Sequence, residues 1–296
     1  MAVLTQVCTL FLLMLCGLAA ARFRVIDDKG IAGLNTLVLC FAQPALIIAK
    51  LQMDVSPRLL ADLGLIFVLT CIIMALCGLA AWRLFRRQAH EQRSSLANLA
   101  MASNCGFMGY PVIIAAFGED ALVYAVLYVT GFQLMCWTLG AYFFGGRKAV
   151  NPLRILRTPS ICGIAIGLVL LLTGLRLPSF VNDALDMIGA TTTPLAMFIV
   201  GTRLLGLRKE HLLDKPLLLT CALRLLIFPA LILLLRLTPL PDVVVSTLYL
   251  CTAMPCATLS AMQADIYHCD SALASRGVAL STSLSMATVP LMLMLL

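Results

Sequence analysis

The chain has 296 residues, 61% of them hydrophobic and 12% charged, with a formal net charge of +7. Soluble domains keep about a quarter of their residues charged, and their apolar positions recur with a period instead of running on. A water-soluble enzyme or binding module is therefore excluded, and lipid is the main solvent.

Ten predominantly apolar segments reach the roughly 17–25 residues that a spanning helix needs. They are 2–20, 31–50, 61–82, 96–118, 121–145, 159–175, 180–206, 216–235, 243–264 and 272–296. The first could serve as a secretory signal ending at Ala19 to Ala21. Such a signal opens with positive charge, and nothing from Met1 to Ala21 is charged, so it is read as a membrane helix. Segment two contains "CFAQPALII" with Gln43 before Pro44, and segment four contains "NCGFMGYP", Asn104 to Pro111. Segment seven contains "ATTTPLAMF" with Thr193 before Pro194, segment eight carries Arg224, and segment nine contains "CTAMPCATL" with Pro255.

The loops after segments one, three, five, seven and nine carry Arg22, Arg24, Lys29; Arg83, Arg86, Arg87, Arg93; Arg147, Lys148, Arg154, Arg157; Arg203, Arg208, Lys209, Lys215; and Arg276. The other loops carry only Lys50, Arg58, Arg176 and Arg236. Positive-inside bias puts the first set in the cytoplasm. Both termini are then extracytoplasmic, in a multi-pass protein of the cell inner (plasma) membrane. The basic excess reports topology and calls for no nucleic-acid partner.

The prolines repeat. Pro44 and Pro194 in segments two and seven, and Pro111 and Pro255 in segments four and nine, are separated by nearly equal offsets. The echo continues from "FGEDALVYA" to "IYHCDSALA". Two five-helix halves follow, residues 1–150 and 151–296. Because five is odd, the second half enters the membrane inverted. The expected fold is an all-α integral membrane protein of ten transmembrane helices in two inverted repeats, with helices four and nine broken. Half-helix N-termini at such breaks offer partial positive charge to an anionic ligand. The competing reading of "GFMGYP" is a proline kink with glycines for close helix packing. The break is expected at Gly106 to Pro111 and at Cys251 to Thr258.

Candidate substrate-site residues are Asn104, Cys105, Gly106, Gly109, Tyr110, Pro111, Arg224, Met254, Pro255, Cys256 and Thr258, with Gln43 and Thr193 as path-lining candidates. Arg224 lies roughly 13 and 18 Å along a helix axis from Lys215 and Arg236. A buried guanidinium needs a partner, and its planar fork suits a substrate carboxylate or the carbonyls of a broken helix end. The hydroxyls of Thr191, Thr192 and Thr193 can line a path or satisfy carbonyls freed in their own helix. All 14 Asp and Glu residues lie in loops or near segment ends, Asp62 being the nearest exception, so no midplane carboxylate for ion coupling is expected. The 12 cysteines form no CxxC pair and read as small apolar residues. Asp265 and His268 in "DIYHCD" could hold a metal, but a solvated turn accounts for them. No cofactor, metal or catalytic residue is expected. His90, His211 and His268 sit at segment ends, and neither HExxH nor GxSxG occurs.

On "NCGFMGYPVIIAAFG" (104–118), "ATTTPLAMFIVGTRL" (190–204), "RLLIFP" (224–229) and "DSALASRGVALSTSLSMATVP" (270–290), the chain resembles the auxin efflux carrier family, over nearly its whole length. The resemblance implies that helices four and nine cross at their breaks. It also implies a scaffold bundle (about 1–50 and 159–206) and a transport bundle (about 61–145 and 216–296) moving as an elevator. A homodimer through the scaffold, and a small mono-, di- or auxin-like carboxylate as substrate, follow in the same way. Asn104 matches the asparagine before the family's helix-four break. Cys256 to Ser260 lack the asparagine that many relatives have after the helix-nine proline, and the loop at about 146–158 is short, as in bacterial members. The expected function is therefore transport of a small organic anion. A non-transporting sensor on the same fold is the alternative, and a membrane-embedded enzyme is disfavoured.

Overall fold

The computed structural model describes residues 2–150, 158–203 and 214–296. Of the residues singled out above, Arg154, Arg157, Arg208, Lys209 and His211 lie outside these. Among the described residues the regular elements are helices: α1 (Ala2–Arg22), α2 (Asp28–Lys50), α3 (Pro57–Leu84), α4 (His90–Met101), α5 (Cys105–Phe117), α6 (Glu119–Ala149), α7 (Pro159–Thr173), α8 (Ser179–Thr202), α9 (Lys215–Leu237), α10 (Asp242–Ala253), α11 (Thr258–Ile266) and α12 (Ser271–Leu293). Of these, α2, α3, α6, α8 and α9 are long and apolar enough to cross a membrane alone, while α5, α7 and α10 are shorter apolar helices.

Apolar segments four and nine are each split, into α4 with α5 and α10 with α11. The first split lies upstream of where the sequence suggests. The extended residues begin at Ala102, whereas Gly106 to Pro111 are helical, and neither Gly106 nor Gly109 has a positive φ. Pro111 falls in the first α-helical turn after the wider turn Cys105–Gly109.

Among the described residues four π-helical turns widen the helices: Val38–Ala42 in α2, Cys105–Gly109 in α5, Cys136–Gly140 in α6 and Leu223–Ile227 in α9. Three of them end two residues before Pro44, Pro111 and Pro229. The cause is local. A proline ring clashes with the carbonyl four residues back and leaves it unbonded; the wider turn relieves both effects. The fourth turn has no proline. Its Cys136 carbonyl, which takes the Ala141 N–H within the turn, also accepts from Gln263 Nε2 of α11 (2.8 Å), and Gln263 Oε1 accepts from Asn98 Nδ2 of α4 (3.1 Å). One amide thereby ties three helices.

Lipid supplies little drive for helix association, so close backbone packing must. Helix α1 lies against the second half of α8. A Cβ on Gly17 would run into the Phe198 carbonyl oxygen, and one on Gly201 into that of Met14. The second half of α2 is enclosed by Gly163 and Gly167 of α7, facing Pro44 and Leu51, and by Gly189 of α8 over the Leu46 backbone. Helix α3 lies along α6 and α4, and α12 packs on α4, α9 and α11.

Candidate functional site

The two splits meet. Ser103 and Cys256 face each other as an antiparallel bridge. The Asn104 N–H donates to the Pro255 carbonyl (2.7 Å), and the Ala257 N–H donates to the Ala102 carbonyl (2.9 Å). The Cys256 N–H donates to Ser281 Oγ of α12 (3.0 Å). An unpaired backbone group costs several kcal/mol in lipid, and here each split satisfies the other. Pro255 suits the pairing, since it offers only a carbonyl. Tyr128 of α6 braces both splits, its hydroxyl lying 3.4 Å from Ser103 Oγ and 3.2 Å from Thr252 Oγ1 at the end of α10.

Each split also exposes two opposite helix ends. The C-terminal ends of α4 and α10 each carry about half a negative charge. Arg224, 1% exposed, projects from the π turn of α9 between them. Its Nη1 donates to the carbonyls of Ala100 (3.1 Å) and Met101 (3.0 Å), and its Nη2 donates to that of Thr252. One guanidinium thus balances both ends. Of the two partners open to Arg224 in the sequence, the structure pairs it with the helix-end carbonyls.

The N-terminal ends face elsewhere. A cavity of about 560 Å³ is lined by Gly106 and Phe107 from the first turn of α5, by Ala257, Thr258 and Leu259 at the start of α11, and by the Asn104 side chain. Its other walls come from Asn35, Leu39 and Gln43 on one face of α2, Val129, Gln133 and Trp137 on one face of α6, and Ser275 and Arg276 of α12. Gln43 is 3% exposed and its Oε1 accepts from Ser160 Oγ (3.1 Å). Its Nε2 lies 2.9 Å from where a Cβ on Gly106 would stand. Gly106 therefore keeps this wall open.

Of the predicted residues, Asn104, Gly106, Thr258 and Gln43 line this cavity. Cys105, Gly109, Tyr110, Pro111, Met254, Pro255 and Cys256 are buried behind it in the packing of the crossing. Thr193 is half-buried outside its lining, and the Thr191 hydroxyl donates to the Ile188 carbonyl of its own helix (2.6 Å). Arg276 requires a correction. Assigned to a loop from the sequence, it stands on the second turn of α12, because Asp270 caps that helix by accepting from the Leu273 N–H (2.8 Å). Asn35, Gln133 and Trp137 also escaped the sequence reading. Their signals were a polar residue eight positions before Gln43 and two polar-edged residues four apart on an apolar helix.

Residues 2–151 and 148–293 match the profile of a family described as membrane transport protein, the auxin efflux carrier family. The chain belongs to this family. It is 30% identical to an uncharacterized transporter of Methanothermobacter thermautotrophicus over 96% of this chain and 95% of that one. It is 26% identical to an uncharacterized transporter of Methanocaldococcus jannaschii, over 65% of this chain and 66% of that one. Similarity to the uncharacterized transporter YfdV of Escherichia coli K12 is 22% over 66% of each chain. As an auxin efflux carrier family protein with these apolar helices, it is a multi-pass membrane protein of transporter type.

Proposed function

We propose that this protein is a secondary carrier of a small organic anion, a mono- or dicarboxylate, bound where α5 and α11 begin. The observation that carries this reading is an electrical asymmetry at the crossing. The negative ends of α4 and α10 are closed by Arg224, while the starts of α5 and α11 border a cavity. The first N–H groups of a helix have no partner inside it, and together with the dipole they favour an anion. Asn104 adds a side-chain amide that can donate to it. Arg224 then acts as a positioning residue.

In this reading ten spans form two inverted repeats. Helices α1, α2, α7 and α8 make the scaffold through which two copies pair, and the remaining helices carry the substrate as an elevator. The cavity supports it by its position, since α2 and Thr158 at the start of α7 form one wall and the crossing the other. It runs toward the starts of α2, α7 and α12, and those follow the loops that positive-inside bias places in the cytoplasm. The cavity would then be open inward.

A thermal-shift screen on detergent-purified protein tests the binding step, because a ligand that binds only the folded state raises apparent stability. Carboxylates are expected to raise the transition, their neutral amides to leave it in place, and Asn104→Ala to abolish the response. Equal stabilisation by acid and amide would contradict the anion reading. Saturable binding without flux would favour a sensor on this fold.

A further inference from the structure

We propose that Arg276, with Trp137 and Gln133, forms a second anion-recognising pole in the wall of the cavity, and that it takes a carboxylate of the cargo. The inference deepens the carrier reading and rests on it for the identity of the cavity as the cargo site.

Among the described residues, Arg276 is the only one with a formal charge in the cavity lining. It joins none of the ion pairs among the described residues, which involve Lys50, Glu119, Asp186, Arg176 and Asp54. Its Nε is buried and has no hydrogen-bond partner. Two other lining residues share this condition. Trp137, 8% exposed, has a buried Nε1 without a partner, and Gln133 has a buried Oε1 without one. Buried polar atoms are almost always paired, so three orphans in one cavity point to a ligand that pairs them.

The chemistry of the orphans selects that ligand. Guanidinium and indole N–H groups donate and cannot accept. The Gln133 amide can present either end, since its oxygen and nitrogen are assigned from the surrounding hydrogen bonds. A group with several acceptor oxygens and a negative charge answers all three, and the planar guanidinium fork matches a carboxylate best. The orphans lie on different helices from the crossing: Gln133 and Trp137 on α6, Arg276 on α12. Cargo charge would thus be read at a place separate from Asn104.

The chain contains 2 tryptophans, which gives a direct probe. In a Trp82→Phe background, intrinsic emission reports Trp137 alone. Titration with succinate or acetate at millimolar concentration is expected to change this emission, whereas succinamide and acetamide leave it unchanged. Arg276→Gln is expected to raise the half-saturating succinate concentration by about 10- to 100-fold, the weight of a charge-assisted hydrogen bond. Arg276→Lys keeps the charge without the fork and is expected to fall between the two. Size-exclusion chromatography and thermal unfolding establish that each variant is folded.

Failures of the two readings separate cleanly. Carboxylate flux in proteoliposomes with the same KM and the same acid-over-amide preference in Arg276→Gln would overturn the second pole and leave the carrier standing. A Trp137 response that depends on Arg276, without flux, would support the pole and overturn the carrier. No response to any carboxylate, or a response to inorganic phosphate alone, would overturn the assignment.

Discussion

Arg224 shows how a single side chain can hold a broken membrane helix. It joins the ends of two half-helices through three carbonyls, and only a planar fork with several donors can reach both. Arg224→Lys is therefore expected to keep the charge and still lose about 2–3 kcal/mol of stability, as hydrogen bonds to a buried charge are removed. Thermal unfolding of the purified variant checks this, and an unchanged transition would show that the bridge is dispensable. Gly106 sits on the other face of the same crossing. Gly106→Ala presses a methyl group onto Gln43 Nε2, 2.9 Å away, which is the end of a flexible side chain. Carboxylate affinity is expected to fall several-fold, measured by thermal shift, with stability changed by no more than about 1 kcal/mol.

The helices were legible in the sequence where their cause is local. Prolines marked segments two, four, seven and nine, and three π turns sit just before Pro44, Pro111 and Pro229. The position of the split in segment four was not legible, because Ala102 and Ser103 carry no breaking signal. Their extended backbone is set by pairing with Met254 to Ala257, a contact far away in the chain. Arg276 differs from its expected loop position for another reason: Asp270 in "DSAL" caps α12 and starts the helix ahead of it. Close packing was equally hidden, since a glycine in an apolar run does not announce which backbone it faces. Gly201→Ala is expected to force α1 and α8 apart, because the new methyl runs into the Met14 carbonyl, and backbone cannot yield as a side chain can. A loss of about 2 kcal/mol or more is expected in thermal unfolding, against a small effect for Gly64→Ala, which meets nothing.

For the molecule as a whole, the ion pairs at the far end of α2 bear on the proposed movement. Lys50 Nζ lies 2.9 Å from Glu119 Oε2, at the start of α6, and 3.0 Å from Asp186 Oδ1 of α8. In the elevator proposal the first pair joins scaffold to transport bundle and must break during transport, whereas the second stays within the scaffold. Glu119 is largely exposed, so the pair is worth at most about 1 kcal/mol. Glu119→Gln is expected to change exchange rates by up to about fivefold at low salt, the effect fading as salt screens it, with Asp186→Asn changing them less. Counterflow rates at two ionic strengths check this.

The central claim is that the cavity beside the crossing carries an organic anion through the membrane. Uptake of labelled mono- and dicarboxylates into proteoliposomes tests it most directly, comparing the unaltered protein with Asn104→Ala in folded, reconstituted form. Saturable uptake of at least one carboxylate is predicted, reduced roughly 10- to 100-fold by the substitution, as expected for one hydrogen bond to a charged group. Absence of flux for every carboxylate, or uptake that Asn104→Ala leaves unchanged, would contradict it.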